Sequence, residues 1–470
     1  MLNRAVGAYG LSDVAGCMIA AVGLSARCQC GPMEAQMETD IEIRRDEVTT
    51  QPSVSERRPA QRANLAAKTP TVALFGNFGS NNSGNEGSLL AMVDFLRRER
   101  PEVRLFCVCA DPLMVRNTLG IPAIPIRRTG HLGRMPSGVA GVPVKIFGKV
   151  RDLGRAFREI RRADVMIVPG TGILDDFGEP PQGMPLDIFM WCLAARMAGT
   201  KVAFVSIGAG PIGHPVSRWL MVSAARLAHY RTYRDTLSKE FMKNAGLNVA
   251  KDAVYPDVVF KLSTPAGGGL ASEGAPLTVG VGVMKYNGWY GASGSSQAVF
   301  STYLDKLARF TLHLLVGGYR IKLLIGETTD MEAVNALLAR LQPICADRFR
   351  ELVSIGCSSS LHGLMEEIAE TDIVVATRFH NIVCALKMER PVISLGYSAK
   401  NDVLLSQMGI GEYCQHVETF DVDLLIDHFA RAVARREEIK STIRARNLSF
   451  RKMLDLQEEQ LLSDILPRDR

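Results

Sequence analysis

The chain has no hydrophobic run long enough to span a bilayer and no cysteines at the spacing of a zinc site. Its apolar run at residues 14–26, "VAGCMIAAVGLSA", falls short of the roughly 20 residues that a spanning helix needs. Among ten cysteines the close pairs are Cys28-x-Cys30 and Cys107-x-Cys109, and the second pair falls in a predicted strand. These absences argue against a membrane-spanning protein. They predict reduced thiols in the cytoplasm, with no metal ion and no redox cofactor.

The N-terminal region also lacks sustained hydrophobic periodicity. Only Arg4 precedes the apolar run and no clean cleavage pattern follows it, so secretion is an alternative interpretation and not the favoured one. Over residues 31–69 the sequence is polar and charged, a composition that cannot bury a core. We therefore predict a disordered N-terminal extension over residues 1–69.

From residue 71 onward, strands and helices alternate. Short apolar runs such as "TVALF", "DVMIVPG" and "KVAFVSIG" are separated by helical stretches, and the pattern restarts with "LTVGVGV" and "DIVVAT" after a glycine-rich linker. Such alternation predicts crossover units and parallel sheets. The predicted fold class is α/β, with two Rossmann-like, doubly wound domains facing a central cleft. The predicted boundaries are 70–264 for the first domain, 265–276 for the linker, 277–420 for the second domain and 421–470 for a C-terminal helical segment.

Polar loops follow several predicted strands, at the edge where parallel sheets bind ligands. In the loop at 76–87, "GNFGSNNSGNEG", Asn77 and Asn85 offer amides, and Ser83 or Ser88 is predicted to cap the next helix. The loop lacks the Lys-Ser/Thr of a phosphate-binding P-loop, so a flexible, well-capped turn is an equal alternative.

Two further loops admit competing interpretations. Asp175 and Asp176 in "PGTGILDDFGE" could bind a metal or act as a base toward a sugar hydroxyl, but a cap and turn role is favoured. The stretch "GAGPIG" at 208–213, followed by Asp235, meets part of a dinucleotide-binding fingerprint. Because Pro211 removes an amide donor, a tight strand-to-helix turn is favoured over NAD(P) binding.

Cationic side chains mark the ends of two other predicted strands. Arg234 leaves a strand beside a helix start, where it could bind an anion or pair with an acidic neighbour. In "TRFHN", Arg378 and His380 are two residues apart, so on an extended strand both would project into the cleft. Asn381 is predicted to cap the following helix, and Lys400 follows the next strand. Together these groups predict an anion site.

A basic segment lies at residues 127–162. It contains ten Lys/Arg and two Asp/Glu, a net charge of +8 in a chain whose total is only +6. A solvated basic face is one interpretation. The other is a peripheral contact with anionic lipid headgroups or with the diphosphate of a lipid-linked acceptor.

The order of these elements resembles the polysaccharide pyruvyl transferase family, from about residue 72 to 409. The resemblance rests on "GNFG…GNEG", "PGTGILDD", "SIGAGP", "YRD" with Ser238, Pro256-Asp257 and, most specifically, "RFHN…PVISLGYSAK". It implies a glycosyltransferase-like GT-B fold with the donor in the cleft between the domains and the second domain as the donor-binding domain. By position, Arg234, Arg378 and His380 resemble the family's donor-binding residues. The first loop departs from the family pattern: it is long, and it carries Glu86 where an aspartate is common.

The resemblance also implies a reaction. Members transfer the enolpyruvyl unit of phosphoenolpyruvate to sugar hydroxyls, so we expect a pyruvate ketal on a lipid-linked glycan in exopolysaccharide or cell-surface polysaccharide biosynthesis. His380 could deliver a proton or neutralise the leaving phosphate. The alternatives are a nucleotide-sugar-dependent GT-B glycosyltransferase, an NAD(P)-dependent oxidoreductase and a non-catalytic scaffold in glycan assembly. We expect a cytoplasmic protein, with a peripheral position at the inner face of the membrane, and no nucleic-acid partner.

Overall fold

A computed structural model describes residues 69–80, 82–127, 142–176, 179–265, 275–288, 296–342, 349–358 and 360–466. For residues 142–147, 349 and 350 it describes the backbone. The predicted N-terminal extension and most of the predicted linker, residues 1–68 and 266–274, lie outside the described residues.

The first sheet has seven parallel strands in the order β3-β2-β1-β4-β5-β6-β7. Its strands are β1 (Thr71–Phe75), β2 (Arg104–Cys109), β3 (Ala123–Pro125), β4 (Val165–Pro169), β5 (Lys201–Ile207), β6 (Tyr230–Tyr233) and β7 (Ala253–Val254). Its helices are α1 (Ser83–Glu99), α2 (Pro112–Leu119), α3 (Val142–Ile160), α4 (Met184–Ala198), α5 (Pro215–Arg226) and α6 (Thr236–Asn244). A 3-10 turn, Val258–Lys261, follows β7.

The second sheet has six parallel strands in the order β10-β9-β8-β11-β12-β13. Its strands are β8 (Thr278–Gly282), β9 (Arg320–Leu324), β10 (Val353–Ile355), β11 (Ile373–Ala376), β12 (Val392–Gly396) and β13 (Cys414–His416). Its helices are α7 (Ser296–Val316), α8 (Met331–Leu341), α9 (Phe349–Leu352), α10 (Leu361–Ala369), α11 (Phe379–Lys387), α12 (Ala399–Gln407), α13 (Val422–Ala434) and α14 (Arg436–Gln460).

Both sheets are doubly wound, because each strand order reverses beside its first strand, between β1 and β4 and between β8 and β11. The central strands are buried on both faces, which explains their continuous apolar runs. The predicted α/β class with two Rossmann-like, GT-B-like domains is confirmed. The strands that the sequence pattern missed, β3, β7, β10 and β13, are short edge strands that bury too little apolar surface to show a pattern.

The last long helix, α14, crosses back onto the first domain. Phe450 packs edge-on against Phe260, with ring centroids 5.1 Å apart. Farther along, the buried Gln457 donates from Nε2 to the Thr232 hydroxyl at 2.7 Å and accepts from the Ser206 hydroxyl at 3.0 Å. These contacts attach the C-terminal helix to the first domain, and the two domains form one compact unit. No helix in the described part of the chain is long and apolar enough to cross a bilayer.

Candidate functional site

A pocket lies where the carboxyl edges of the two sheets meet, and its empty space, with the part that is open solvent included, is about 580 Å³. It opens to solvent, and loops from both domains line it. The lining residues are Asn82, Gly84, Asn85, Gly172, Arg234, Gly326, Glu327, Arg378, Phe379, His380, Tyr397 and Lys400. The predicted anion-binding residues Arg234, Arg378, His380 and Lys400 are therefore brought together, although 166 positions separate Arg234 from Lys400 in the chain.

The first wall of the pocket is the N-terminus of α1. Asn82 holds the cap position, and its side-chain oxygen accepts from the amides of Gly84 at 3.1 Å and Asn85 at 3.3 Å. The prediction that Ser83 or Ser88 caps this helix is wrong. Ser83 instead donates its hydroxyl to the carbonyl of Gly326 in the second domain at 3.0 Å, because asparagine already satisfies the first-turn amides.

Gly84 is needed at this position because the imidazole of His380 lies against it. A Cβ atom added at Gly84 would lie 1.8 Å from Cε1 of His380, which is shorter than any allowed contact distance. The absence of a side chain therefore lets a ring from the second domain approach the N-terminus of a helix in the first. This close approach gives the glycine-rich loop a specific role in forming the pocket.

Arg378 and His380 reach the pocket by a different route from the one predicted. They do not project from one extended strand, because β11 ends at Ala376, Arg378 is the cap residue of α11, and His380 lies in the first turn of that helix. The sequence pattern placed the strand end too late. The helix begins immediately after Arg378, so Arg378 reaches the pocket from an extended cap position and His380 from the first helical turn.

Arg378 is held by a buried carboxylate that sequence reasoning missed. Its Nε donates to Asp330 at 3.0 Å and its Nη2 donates to Asp330 at 2.7 Å, and the same Nη2 lies 2.9 Å from Glu327. Both acids lie in "GETTD", just after β9. Nothing local in the sequence marks either acid as a partner of Arg378.

Asn381, predicted both to cap α11 and to bind the donor, has another position. It lies inside the helix and is fully buried, with its amide against the backbone of Gly282 and Gly326. Neither side-chain amide atom has a hydrogen-bond partner among the described residues. The cap prediction is wrong, since Arg378 occupies the cap position, and the side chain lies outside the pocket lining.

Arg234 reaches the pocket from the end of β6, in the opposite domain to Arg378. Its side chain is 8% exposed and lies 3.6 Å from both Asp235 and Asp257. Burial raises the pKa of Asp257, and the neighbouring guanidinium opposes that rise. A Cβ atom at Gly208 would lie 2.6 Å from the guanidinium carbon, so this glycine makes room for the arginine.

The ring of Phe379 contacts cations from both domains. The guanidinium carbon of Arg234 is 4.7 Å from the centroid of the Phe379 ring, and Nζ of Lys400 is 5.5 Å from the same centroid. Lys400 also lies 5.0 Å from the ring centroid of Tyr397. These cation–π contacts hold both charges at the pocket wall. Among the described residues, Lys400 forms no ion pair with a carboxylate.

The charge state of His380 follows from this cluster. Burial, and then the charges of Arg234, Lys400 and Arg378, lower the pKa of His380 to about 3. The imidazole is therefore neutral near pH 7 in this structure. An anion bound among the three cations would reverse the balance and favour the imidazolium.

Of the other predicted loop residues, one lines the pocket and three lie outside its lining. Asn85 lines the pocket, whereas Asn77 lies outside the lining, and its backbone carbonyl accepts from Asn85 at 3.3 Å. Asp175 and Asp176 also lie outside it. The carboxylate of Asp176 accepts the amide of His214 at 3.2 Å, and Asp175 lies against Gly210.

The "GAGPIG" stretch forms a strand-to-helix turn. Asp235, the acid of the dinucleotide fingerprint, accepts the amide of Ser238 at 2.6 Å as the cap of α6. Its carboxylate is therefore engaged in capping and in the contact with Arg234. This geometry favours the turn interpretation over NAD(P) binding.

Comparison with solved structures shows the fold. The chain resembles Anabaena HepE solved with UDP-glucose, with a TM-score of 0.52, 11% identity, and coverage of 84% of this chain and 100% of that one. It resembles UDP-GlcNAc 2-epimerase from Neisseria meningitidis bound to UDP-GlcNAc, with a TM-score of 0.53, 10% identity, and coverage of 84% and 100%. A glycosyltransferase from Rickettsia africae gives a TM-score of 0.51, 11% identity, and coverage of 84% and 99%. Identities this low carry no inference about ligands.

The family comparison is more specific. No curated protein matches the chain. The family model described as polysaccharide pyruvyl transferase matches residues 82–399. That match begins at the Asn82 cap and ends one residue before Lys400, so it contains nearly every residue that lines the pocket. Because it spans more than half of the chain and reaches into both sheets, the chain belongs to the polysaccharide pyruvyl transferase family.

Proposed function

We propose that the protein transfers the enolpyruvyl unit of phosphoenolpyruvate to sugar hydroxyls of a glycan and forms a pyruvate ketal. Family membership makes the protein a transferase of polysaccharide biosynthesis. The observation that supports this donor is the convergence of Arg234, Arg378 and Lys400 around His380 in one pocket. Phosphoenolpyruvate carries a carboxylate and a phosphate, and several cations from two domains suit such a pair of anionic groups.

The binding roles follow from what each cation already contacts. Arg378 uses Nε and Nη2 on Asp330, so among the described residues its Nη1 is left for a ligand. Lys400 contacts aromatic rings, which leaves its ammonium hydrogens available to a phosphate or a carboxylate. Arg234 completes the site from the first domain. A donor bound by all three therefore bridges the domains and excludes water from the reacting carbon.

The reaction balances without electron transfer, so it calls for no redox cofactor. His380, protonated once the anionic donor is bound, gives a proton to the methylene carbon, and that carbon becomes the methyl group. The first sugar hydroxyl attacks the resulting oxocarbenium-like centre. The second hydroxyl closes the ketal as the bond to phosphate breaks. Of the two protons that the hydroxyls lose, one replaces the proton from His380 and the other leaves with phosphate.

The proposed acceptor is a lipid-linked glycan, presented at the inner face of the cell membrane during exopolysaccharide or cell-surface polysaccharide assembly. Part of the basic segment 127–162 has structural partners. Arg127 pairs with Asp187, and Arg155 donates to the carbonyls of Pro125 and Ile126. The exposed remainder includes Arg151 and Arg158 on α3. A membrane contact through this exposed face of α3 would hold the protein at the surface that carries a lipid-linked acceptor.

The membrane contact is tested with charge reversals that spare the structural arginines. Arg151→Glu with Arg158→Glu should weaken binding to anionic vesicles, and the loss should be larger at low salt, because surface charge is screened over about 10 Å at 0.1 M. The matched control is Arg446→Glu with Lys452→Glu, two exposed cations of α14. Equal losses in the two double variants would indicate net charge alone, and no loss in either would refute the contact.

The donor is tested by phosphate release. The protein is incubated with phosphoenolpyruvate and a panel of lipid-linked oligosaccharides, and the product is examined by mass spectrometry for the mass of a pyruvate ketal. Parallel reactions replace phosphoenolpyruvate with UDP-sugars. Phosphate release with ketal formation is the expected result. Sugar transfer from a UDP-sugar without phosphate release from phosphoenolpyruvate would overturn the proposal in favour of a glycosyltransferase.

A further inference from the structure

Glu327 lies between the donor-binding cations and the first domain. Its Oε1 accepts from Nδ2 of Asn82 at 3.1 Å, and its Oε2 lies 2.9 Å from Nη2 of Arg378. The side chain is 26% exposed and lines the pocket. Among the lining residues that the structure describes, Glu327 is the single carboxylate. It therefore stands at the boundary between the cationic half of the pocket and the uncharged edge formed by Asn82, Gly84 and Asn85.

Glu327 is not needed to hold Arg378, because Asp330 does so. The fully buried carboxylate of Asp330 accepts from Nε and Nη2 of Arg378, from the amide of Lys285, and from the amides of Gly326 and Glu327. These bonds join the segments that follow β8, β9 and β11. They also fix the backbone of Glu327, so that its carboxylate is presented to the pocket by a rigid loop.

A preorganised carboxylate in a pocket that binds an anion calls for a role other than donor binding. An anionic donor gains nothing from it, since like charges repel. A sugar hydroxyl that attacks an oxocarbenium-like carbon must lose a proton, and a carboxylate is a suitable acceptor. His380 cannot take that proton in the same step if it is the acid that protonates the donor. The uncharged edge beside Glu327 suits a neutral sugar.

We propose that Glu327 is the general base that deprotonates the attacking hydroxyl of the acceptor. This inference rests on the proposed function. The hydroxyl proton moves to the Glu327 carboxylate as the sugar oxygen bonds to the central carbon of the enolpyruvyl unit. Glu327 then returns the proton to solvent, and His380 takes one up from solvent, so the protein ends the cycle in its starting state. The charged groups facing Glu327 are Arg378 and Asp330 directly, with Arg234, His380 and Lys400 around the pocket.

The test is Glu327→Gln, which keeps an oxygen to accept from Asn82 but cannot take a proton. We expect the turnover number to fall about 100- to 10,000-fold, with phosphoenolpyruvate affinity by calorimetry unchanged or tighter. The acid limb of the pH–rate profile should disappear. Formate added to Glu327→Ala should restore part of the turnover. The matched control is Glu332→Gln, a nearby exposed glutamate that pairs with Lys285, which should retain wild-type rates.

The outcomes distinguish a general-base role of Glu327 from a purely structural one, and they separate failure of this inference from failure of the proposed function. Normal turnover in Glu327→Gln with tighter phosphoenolpyruvate binding would contradict the general-base assignment. It would show that the Glu327 carboxylate only pairs with Arg378 until the donor displaces it. An acid limb that survives in Glu327→Gln would also overturn it. If wild-type protein binds phosphoenolpyruvate but Glu327→Gln matches its rate, only this inference fails. If wild-type protein neither binds phosphoenolpyruvate nor releases phosphate, the proposed function itself fails.

Discussion

Donor binding is expected to change the charge of His380, and the change can be measured as proton uptake. In the structure, burial and the charges of Arg234, Lys400 and Arg378 lower the pKa of His380 to about 3, so the ring is neutral at pH 7.5. A proton donor must carry its proton when the donor substrate is bound. Binding of the anion must therefore raise the pKa of His380 by several units for the proposed chemistry to run near neutral pH.

The size of that rise follows from Coulomb's law. One negative charge about 4.5 Å from the imidazolium, at an effective dielectric constant of about 20, stabilises the protonated ring by about 3.7 kcal/mol, or about 2.7 pKa units. Two such charges, a carboxylate and one phosphate charge, raise the pKa by about 5 units, to about 8. At pH 7.5 the protein should then take up about 0.7 proton for each donor bound.

The assay is calorimetry of phosphoenolpyruvate binding in buffers with different ionisation enthalpies. The slope of the observed enthalpy against the buffer enthalpy gives the number of protons exchanged. At pH 7.5 a phosphate ester is already largely ionised, because its second pKa is about 6, so the uptake reports on the protein. His380→Gln keeps a polar side chain but takes no proton. Its slope should fall to near zero while its circular dichroism spectrum matches the wild type.

The same reasoning sets the sign of the pH dependence. The bound enzyme needs protonated His380, so turnover should fall as the pH rises through the raised pKa, and His380→Gln should lose this basic limb together with most of its turnover. The stability of the free protein depends on pH in the opposite direction from turnover. Its folded-state pKa is below the ordinary value of 6.5, so the unfolded chain binds more protons and stability falls as the pH falls below about 6.5. Equal calorimetric slopes for the wild-type protein and His380→Gln would refute the assignment of His380 as the proton donor.

Two further substitutions probe the geometry around this ring. Arg378→Lys keeps the charge but can replace only one of the two bonds to the fully buried Asp330, so we expect weaker phosphoenolpyruvate binding and a loss of about 1.5 to 3 kcal/mol in urea denaturation. Wild-type donor affinity would contradict the role of Arg378. Gly84→Ala places a Cβ atom 1.8 Å from Cε1 of His380, so turnover should drop on the order of 100-fold as the ring moves, with stability in urea nearly unchanged. A variant with the wild-type turnover number would show that the ring can shift without loss of function.

Much of the fold was predictable because its signals are local. Central strands such as β1, β4 and β11 bury both faces, so they form continuous apolar runs that stand out between helical stretches. The cap of α1 was less evident: the sequence predicted Ser83 or Ser88, and Asn82 holds that position. Its first turn is rich in glycine and asparagine, which have low helix propensity, and it is stabilised by the Asn82 cap and by contact with the second domain.

The chemical types at the site were also evident from the sequence. Arg234, Arg378, His380 and Lys400 each follow a predicted strand, and the carboxyl ends of parallel strands face one edge of a sheet. That argument identified the cations of the pocket. It could not identify their partners, because Asp330 and Glu327 are ordinary acids in a short loop, and neither has a helical or strand period that marks it.

The sequence by itself therefore determined the α/β class, the existence of two sheets and the cations at their edges, since each depends on short-range patterning. The tertiary structure alone decided that Asp330 occupies two nitrogens of Arg378, that Glu327 faces the donor cations, and that His380 lies against Gly84 and is neutral. The charge of the imidazole depends on burial and on cations that approach from two domains. Such a property arises from distances in space, and separation along the chain does not encode it.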